Sequence, residues 1–190
     1  MARMLELLFV DDEEDFVNYM TKRLERHDFK VYAYTNPFQA FQETEGKSFD
    51  VGLLDLKMPE MSGDELLNKL KTRDPYMEII ILTGHGSIES AFRSAQVGAY
   101  EYLLKPCDFD GLVASINKAY AKRIKTLSRE KTSQVDDLMK NAVGMRPLEL
   151  LKRIKNIHDG VEKYVSTAAL TEKDASDAAR KLMGKKSTKE

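Results

Sequence analysis

Four short apolar runs in this 190-residue chain each lead into a residue able to handle charge. LELLFV is followed by Asp11-Asp12, FDVGLL by Asp55, IIIL by Thr83-Gly84, and YLL by Lys105-Pro106. If the runs are parallel strands of one open α/β sheet, their carboxyl ends form the ligand-binding edge. Three carboxylates, one hydroxyl and one ammonium then meet in a small volume. Clustered carboxylates repel one another unless protonated or neutralised. A divalent cation neutralises them, and Mg²⁺ suits because it is hard, prefers oxygen ligands and keeps several waters. Aspartate is also a nucleophile that forms aspartyl-phosphates. Phosphoryl transfer asks mainly for positioning and charge stabilisation. Thr83 is placed to donate to one phosphoryl oxygen and Lys105 to pair with another, while Gly84 leaves room beside them.

The elements that must position these groups alternate regularly. Strands are expected over 5–10, 30–34, 49–54, 79–82 and 100–104, from their apolar runs and β-branched or aromatic content. Helices are expected over 14–27, 37–45, 63–72 and 87–97, with a fifth starting near Phe109 after Asp108 as cap. Asn36 and Pro37 suit a helix start, and Gly98 suits a helix end. Strand–helix alternation of this kind implies a parallel sheet covered by helices on both faces.

From about Leu127 the strand signals stop. Net charge is roughly −5 up to Leu127 and roughly +4 after it. Leu112, Ile116, Tyr120, Ile124, Leu127, Val135, Leu138 and Ala142 recur mostly every three or four residues, interrupted at Lys131. The fifth helix is therefore expected to run on with a seam like a short coiled coil. Gly144 and Pro147 interrupt it, a further helix follows over 148–165, weakened at Gly160, and a last one over about 171–183. The division expected is an α/β domain over 1–125 and an all-α extension over 126–190.

The overall charge of −1 marks neither a nucleic-acid nor a membrane binder. The single cysteine, Cys107, excludes an internal disulfide framework and points to a reducing cytoplasm. The N-terminus meets acids too early for a signal peptide, and no stretch has the roughly 20 apolar residues of a membrane span.

Taken in order, VDD, DLKMPEMSG, ILTGHGS and YLLKP resemble the receiver domain of bacterial two-component response regulators, over residues 4 to 122. The GHGS following the threonine is most similar to receivers of the nitrogen-regulation and symbiotic-fixation type. The resemblance implies a flavodoxin-like (βα)5 fold with strand order 2-1-3-4-5. It implies that Asp55 accepts a phosphoryl group from a sensor histidine kinase or phosphotransfer protein. Mg²⁺ would be bound by Asp12, Asp55 and the backbone carbonyl of Lys57, with Asp11 in support. Thr83 and Lys105 would read the phosphate, and Tyr102 would be the switch aromatic. Lys57 and His85 would modulate phosphoryl lifetime, and Lys105-Pro106 matches the family's cis peptide. Signalling would leave through the α4-β5-α5 surface.

Each member of the set has a plainer reading. An acidic pair usually complements a helix dipole, Asp55 alone is a turn residue, Lys105-Pro106 a surface turn, and Tyr102 a packed strand aromatic. The joint pattern carries the reading. An enzyme using the same chemistry, a haloacid-dehalogenase-type phosphatase, needs a second aspartate two residues after the nucleophile, and Lys57 stands there. A dinucleotide-binding domain needs a glycine-rich turn where Asp11-Asp12 stand. The chain is therefore expected to assist only its own phosphorylation and dephosphorylation. Two outputs are expected for the extension: protein interaction, including homodimerisation through the last receiver helix and tail, or DNA binding by a divergent helical domain. No phosphate-binding loop of the GxxxxGK type is present.

Overall fold

Alternate residues of every central strand face opposite layers, and this alternation builds two cores. The computed structural model describes residues 4–84, 87–142 and 147–162. Five strands, β1 (Leu5–Val10), β2 (Phe29–Tyr34), β3 (Val51–Leu54), β4 (Glu78–Thr83) and β5 (Glu101–Leu104), pair in parallel in the order β2-β1-β3-β4-β5. Between them run α1 (Glu14–Glu25), α2 (Pro37–Glu43), α3 (Gly63–Arg73) and α4 (Ile88–Val97). After β5 come α5 (Phe109–Lys140) and α6 (Pro147–Glu162).

On one face Leu7, Phe9, Leu53, Ile80 and Leu82 pack against Val17, Met20 and Leu24 of α1 and Leu112, Ile116 and Ala119 of α5. On the other, Leu8, Val10, Leu54, Ile79 and Ile81 pack against Ala40 of α2 and Leu66, Leu67 and Leu70 of α3. β1, β3 and β4 are buried on both faces, so their sequences read as continuous apolar runs rather than alternating ones. Full burial of each such side chain contributes roughly 1.5–3 kcal/mol.

From β1 to β5 the expected elements are present, with ends within two residues of the expected bounds. β3 starts at Val51 rather than 49, and α1 ends at Glu25 rather than 27. Local chemistry explains the ends that matter. Asn36 accepts from the Gln39 amide and Pro37 opens α2. Ser62 and Glu65 form a reciprocal capping box on α3. Gly98 closes α4 at φ 102, a left-handed conformation that costs glycine nothing. Asp108 accepts from Gly111 N at 2.7 Å and starts α5.

Helix α5 runs on to Lys140 as the periodicity implies, but its buried stripe is Leu112, Ile116, Ala119, Arg123 and Leu127. Tyr120 and Ile124 are only half-buried. Arg123 is drawn inside because it pairs with Asp74 at 2.9 Å and lies 3.3 Å from Ser48 Oγ, at the end of the sheet opposite the carboxyl edge. Packing divides the chain into two units, with Met4–Glu130 as one and Lys131 onward in the other. Helix α6 continues through Gly160 without a break. The helix expected over 171–183 lies outside the described residues.

Candidate functional site

Register brings the loops that follow β1, β3, β4 and β5 to one edge. Val10 pairs with Leu54, Leu54 with Ile81, and Thr83 with Leu104. The backbone continues this alignment past the strands: Asp55 N donates to Val10 O at 2.8 Å, and Lys105 N to Thr83 O at 2.8 Å. Asp11, Asp55, Thr83 and Lys105 are therefore neighbours, although Asp11 and Lys105 are 94 residues apart.

Asp55 is buried. Its Oδ2 accepts from Lys57 N at 2.6 Å, its Oδ1 lies 3.6 Å from Lys105 Nζ, and it takes a hydrogen bond from the Thr83 side chain. Burial pushes its carboxyl pKa up, opposed by those three donors and reinforced by the charge of exposed Asp12. Asp11 is fully buried, accepts from Lys105 Nζ at 2.5 Å and from Glu13 N at 3.1 Å, and still has its pKa raised to about 6, chiefly by burial. Lys105, with 11% of its side chain exposed, stacks over the Phe16 ring and joins Asp11, Asp55 and Glu13. Its peptide bond to Pro106 is cis. Thr83 is buried at the end of β4.

Close packing holds the loop that follows β3. Gly63 N donates to Leu56 O at 2.9 Å. A Cβ at Gly63 would overlap the Asp55 carbonyl oxygen and sit 2.9 Å from Leu56 Cα. Glycine is needed because the start of α3 touches the backbone that carries Asp55.

The donor set fits a hard divalent cation. Two buried carboxylates and a third exposed one share a single ammonium, and burial raises the pKa of both Asp11 and Asp55 despite the donors around them. Among the described residues no three His, Cys, Asp or Glu side chains close into a metal cage. Mg²⁺ needs no such cage, since it is commonly held by one or two carboxylates and retains water.

The sequence of residues 7–117 matches the family described as response regulator receiver domain. This chain belongs to the receiver domain family. It is 33% identical over 120 residues to the transcriptional regulatory protein ZraR of Klebsiella oxytoca, covering 63% of this chain and 27% of that protein. It is 36% identical over 118 residues to a putative response regulator NtrX-like of Rickettsia bellii, covering 61% of this chain and 25% of the relative. The chain thus spans about a quarter of the length of these curated relatives. A solved receiver domain protein from Clostridium thermocellum superposes with TM-score 0.62 at 32% identity, covering 65% of this chain and 99% of that one.

In this receiver Tyr102 is half-buried on β5, and its hydroxyl lies 3.0 Å from Ser90 Oγ on α4. Helix α4 is further tied to α3 by Ser94 Oγ, which donates to Asp64 Oδ1 at 2.5 Å. The outer side of α4 and β5 carries exposed apolar side chains among charged ones: Ile88 is 91% exposed, Phe92 63% and Leu104 56%, beside exposed Glu89 and Arg93. Lys57 is exposed, with only its backbone N–H turned to Asp55. His85 lies outside the described residues. No helix among the described residues is long and apolar enough to cross a membrane.

Three contributors have no role in the sequence reading. Gly63 closes the DLKMPEMSG motif and Ser90 lies outside every motif, and both act through close contacts that spacing does not reveal. Glu13 has a detectable signal: it occupies the N-cap of α1, where Ser, Thr, Asp or Asn is favoured.

Proposed function

We propose that this chain is a phosphorylation-driven cytoplasmic switch of two-component signalling, with Asp55 as phosphoacceptor and a histidine kinase or phosphotransfer protein as donor. The convergence of Lys105, Thr83 and the Lys57 amide on one buried carboxylate is the observation that carries this reading. The Asp55 carboxylate attacks phosphorus, the bond to the donor's imidazole nitrogen breaks, and the electron pair leaves with the imidazole. The three donors oppose the upward push of burial on the Asp55 carboxyl, and after transfer Lys105 and Thr83 turn to phosphoryl oxygens. Mg²⁺ would be held by Asp12, Asp55 and the Lys57 carbonyl, with Asp11 behind them, and would supply charge neutralisation for the transfer. Lys57 in place of a second acid/base aspartate supports a switch rather than a phosphatase acting on other substrates. Lys57 and His85 tune the phosphoryl lifetime.

Movement of Thr83 toward the phosphate opens space for Tyr102 to turn inward, and this breaks its contact with Ser90 on α4. Output then passes through the α4-β5-α5 surface and the helical extension, assigned to 126–190, by contact with a protein partner or a second copy. The relatives' names as transcriptional regulators favour DNA binding as the second reading. A salt-dependent mobility shift on DNA would select it.

Replacing Asp55 by Asn tests the assignment. Labelling by acetyl phosphate or a phosphorylated kinase should be lost. Undiminished labelling of D55N would remove Asp55 from the role.

A further inference from the structure

We infer that Glu13 is a positioning residue that competes with the phosphoryl group for Lys105. The inference rests on the assignment of Asp55 as phosphoacceptor. Its starting point is a helix cap that does not cap. Glu13 stands at the N-cap of α1 with extended backbone, yet its side chain makes no bond to the exposed amides of the first turn. Glutamate is not among the favoured N-caps, whose shorter side chains fold back onto those amides. The Glu13 carboxylate instead turns across the site to Lys105, with Oε1 3.1 Å from Nζ. That is nearer than Asp55 Oδ1, at 3.6 Å.

Three carboxylates thus divide one ammonium, and they differ in freedom. Asp11 is fully buried and held by the Glu13 amide as well as by Lys105. Asp55 is buried and held by Lys57 N and Thr83. The Glu13 side chain is 67% exposed and is the carboxylate able to swing into water without losing solvation. When Asp55 carries a phosphoryl group, Lys105 must give up part of its present bonding, and the bond to Glu13 is the one to yield. The unphosphorylated state is then stabilised by a contact that the phosphorylated state lacks, so Glu13 sets how readily the site accepts and keeps the group.

Beryllofluoride with Mg²⁺, titrated into the full chain and followed by ¹⁹F NMR, reads this directly. Glu13→Gln should tighten beryllofluoride binding about two- to five-fold, the range of an exposed ion pair. Glu13→Asp should tighten it similarly. It keeps the charge but is one methylene shorter and can cap α1, so it should also raise the thermal midpoint of the metal-free protein. Glu14→Gln, which removes a neighbouring exposed charge that does not reach Lys105, should leave binding unchanged. Tightening by Glu13→Gln and Glu14→Gln alike, or wild-type affinity in Glu13→Asp, would reduce the effect to general charge and overturn the inference. Unchanged binding in all three variants would overturn it too. If the wild-type chain binds no beryllofluoride, the phosphoacceptor reading itself has failed.

Discussion

Replacing Gly63 by alanine places a methyl group against backbone that has nowhere to go. The added Cβ would overlap the Asp55 carbonyl oxygen, with Leu56 Cα at 2.9 Å and Asp55 C at 3.0 Å. Overpacking typically costs about 1–3 kcal/mol, and sometimes more. Here the opposing atoms are main chain in the loop leaving β3, so the upper end, about 3 kcal/mol, is expected. In a domain of this size each kcal/mol lowers the thermal midpoint by roughly 4 °C, which gives roughly 12 °C. Two other glycines calibrate the scale. At Gly52 the new methyl would meet Met77 Cε at 2.9 Å, the far end of a flexible side chain that moves aside for about 1 kcal/mol. At Gly84 nothing among the described residues lies within 4 Å, and alanine should stay within about 0.5 kcal/mol of wild type. Urea unfolding of the three variants at equal m-value should order them Gly63, Gly52, Gly84 from most to least destabilised. Because the displaced atoms belong to Asp55, Gly63→Ala should also slow labelling by acetyl phosphate, measured where the variant is fully folded. A Gly63→Ala protein as stable as Gly84→Ala would refute the close-approach reasoning.

The pH dependence of stability without metal has a defined sign. Asp11 is raised to about 6 in the folded chain against an ordinary value of 3.8, so the folded state holds the proton more tightly. Its contribution is fully present below about pH 4 and is lost as pH rises through about 6, a change of at most about 3 kcal/mol. Metal-free urea midpoints between about pH 4 and 7 should therefore fall with rising pH, and Asp11→Asn should flatten the slope. Added Mg²⁺ should stabilise most above about pH 6, where Asp11 has lost its proton, and a stabilisation independent of pH would contradict Asp11 taking part in the metal site. The Ser90–Tyr102 hydrogen bond should show a coupling of about 1 kcal/mol in a double-mutant cycle of Ser90→Ala and Tyr102→Phe. Beryllofluoride should reduce that coupling, measured by urea unfolding, if Tyr102 leaves Ser90 on activation.

Much of this protein can be read along the chain because its signals are local. Buried parallel strands read as apolar runs, as in Ile79–Leu82. Caps and stops at Asn36, Gly98 and Asp108 act on the residues beside them. The acids, threonine and lysine of the site were legible because a parallel sheet delivers every strand's carboxyl end to one edge. The residues immediately after each strand are then enough to assemble the set. Element ends moved by up to two residues, since pairing with neighbouring strands decides where a ladder stops.

Approach between distant segments is a different matter. Arg123 falls in an apolar row along α5, and nothing local reveals that Asp74 and Ser48 wait to receive it. Gly63 is a bland helix start until the Asp55 carbonyl is seen against it. Glu13 is one more acid in an acidic stretch until Lys105 arrives from β5 and its carboxylate abandons the cap for the ion pair. Which chemical groups meet at the sheet edge is written in the chain, because strand order and direction grow out of local patterning. How one ammonium is shared among three carboxylates is settled by folding alone, because it depends on ångström-scale distances and on which carboxylate still touches water.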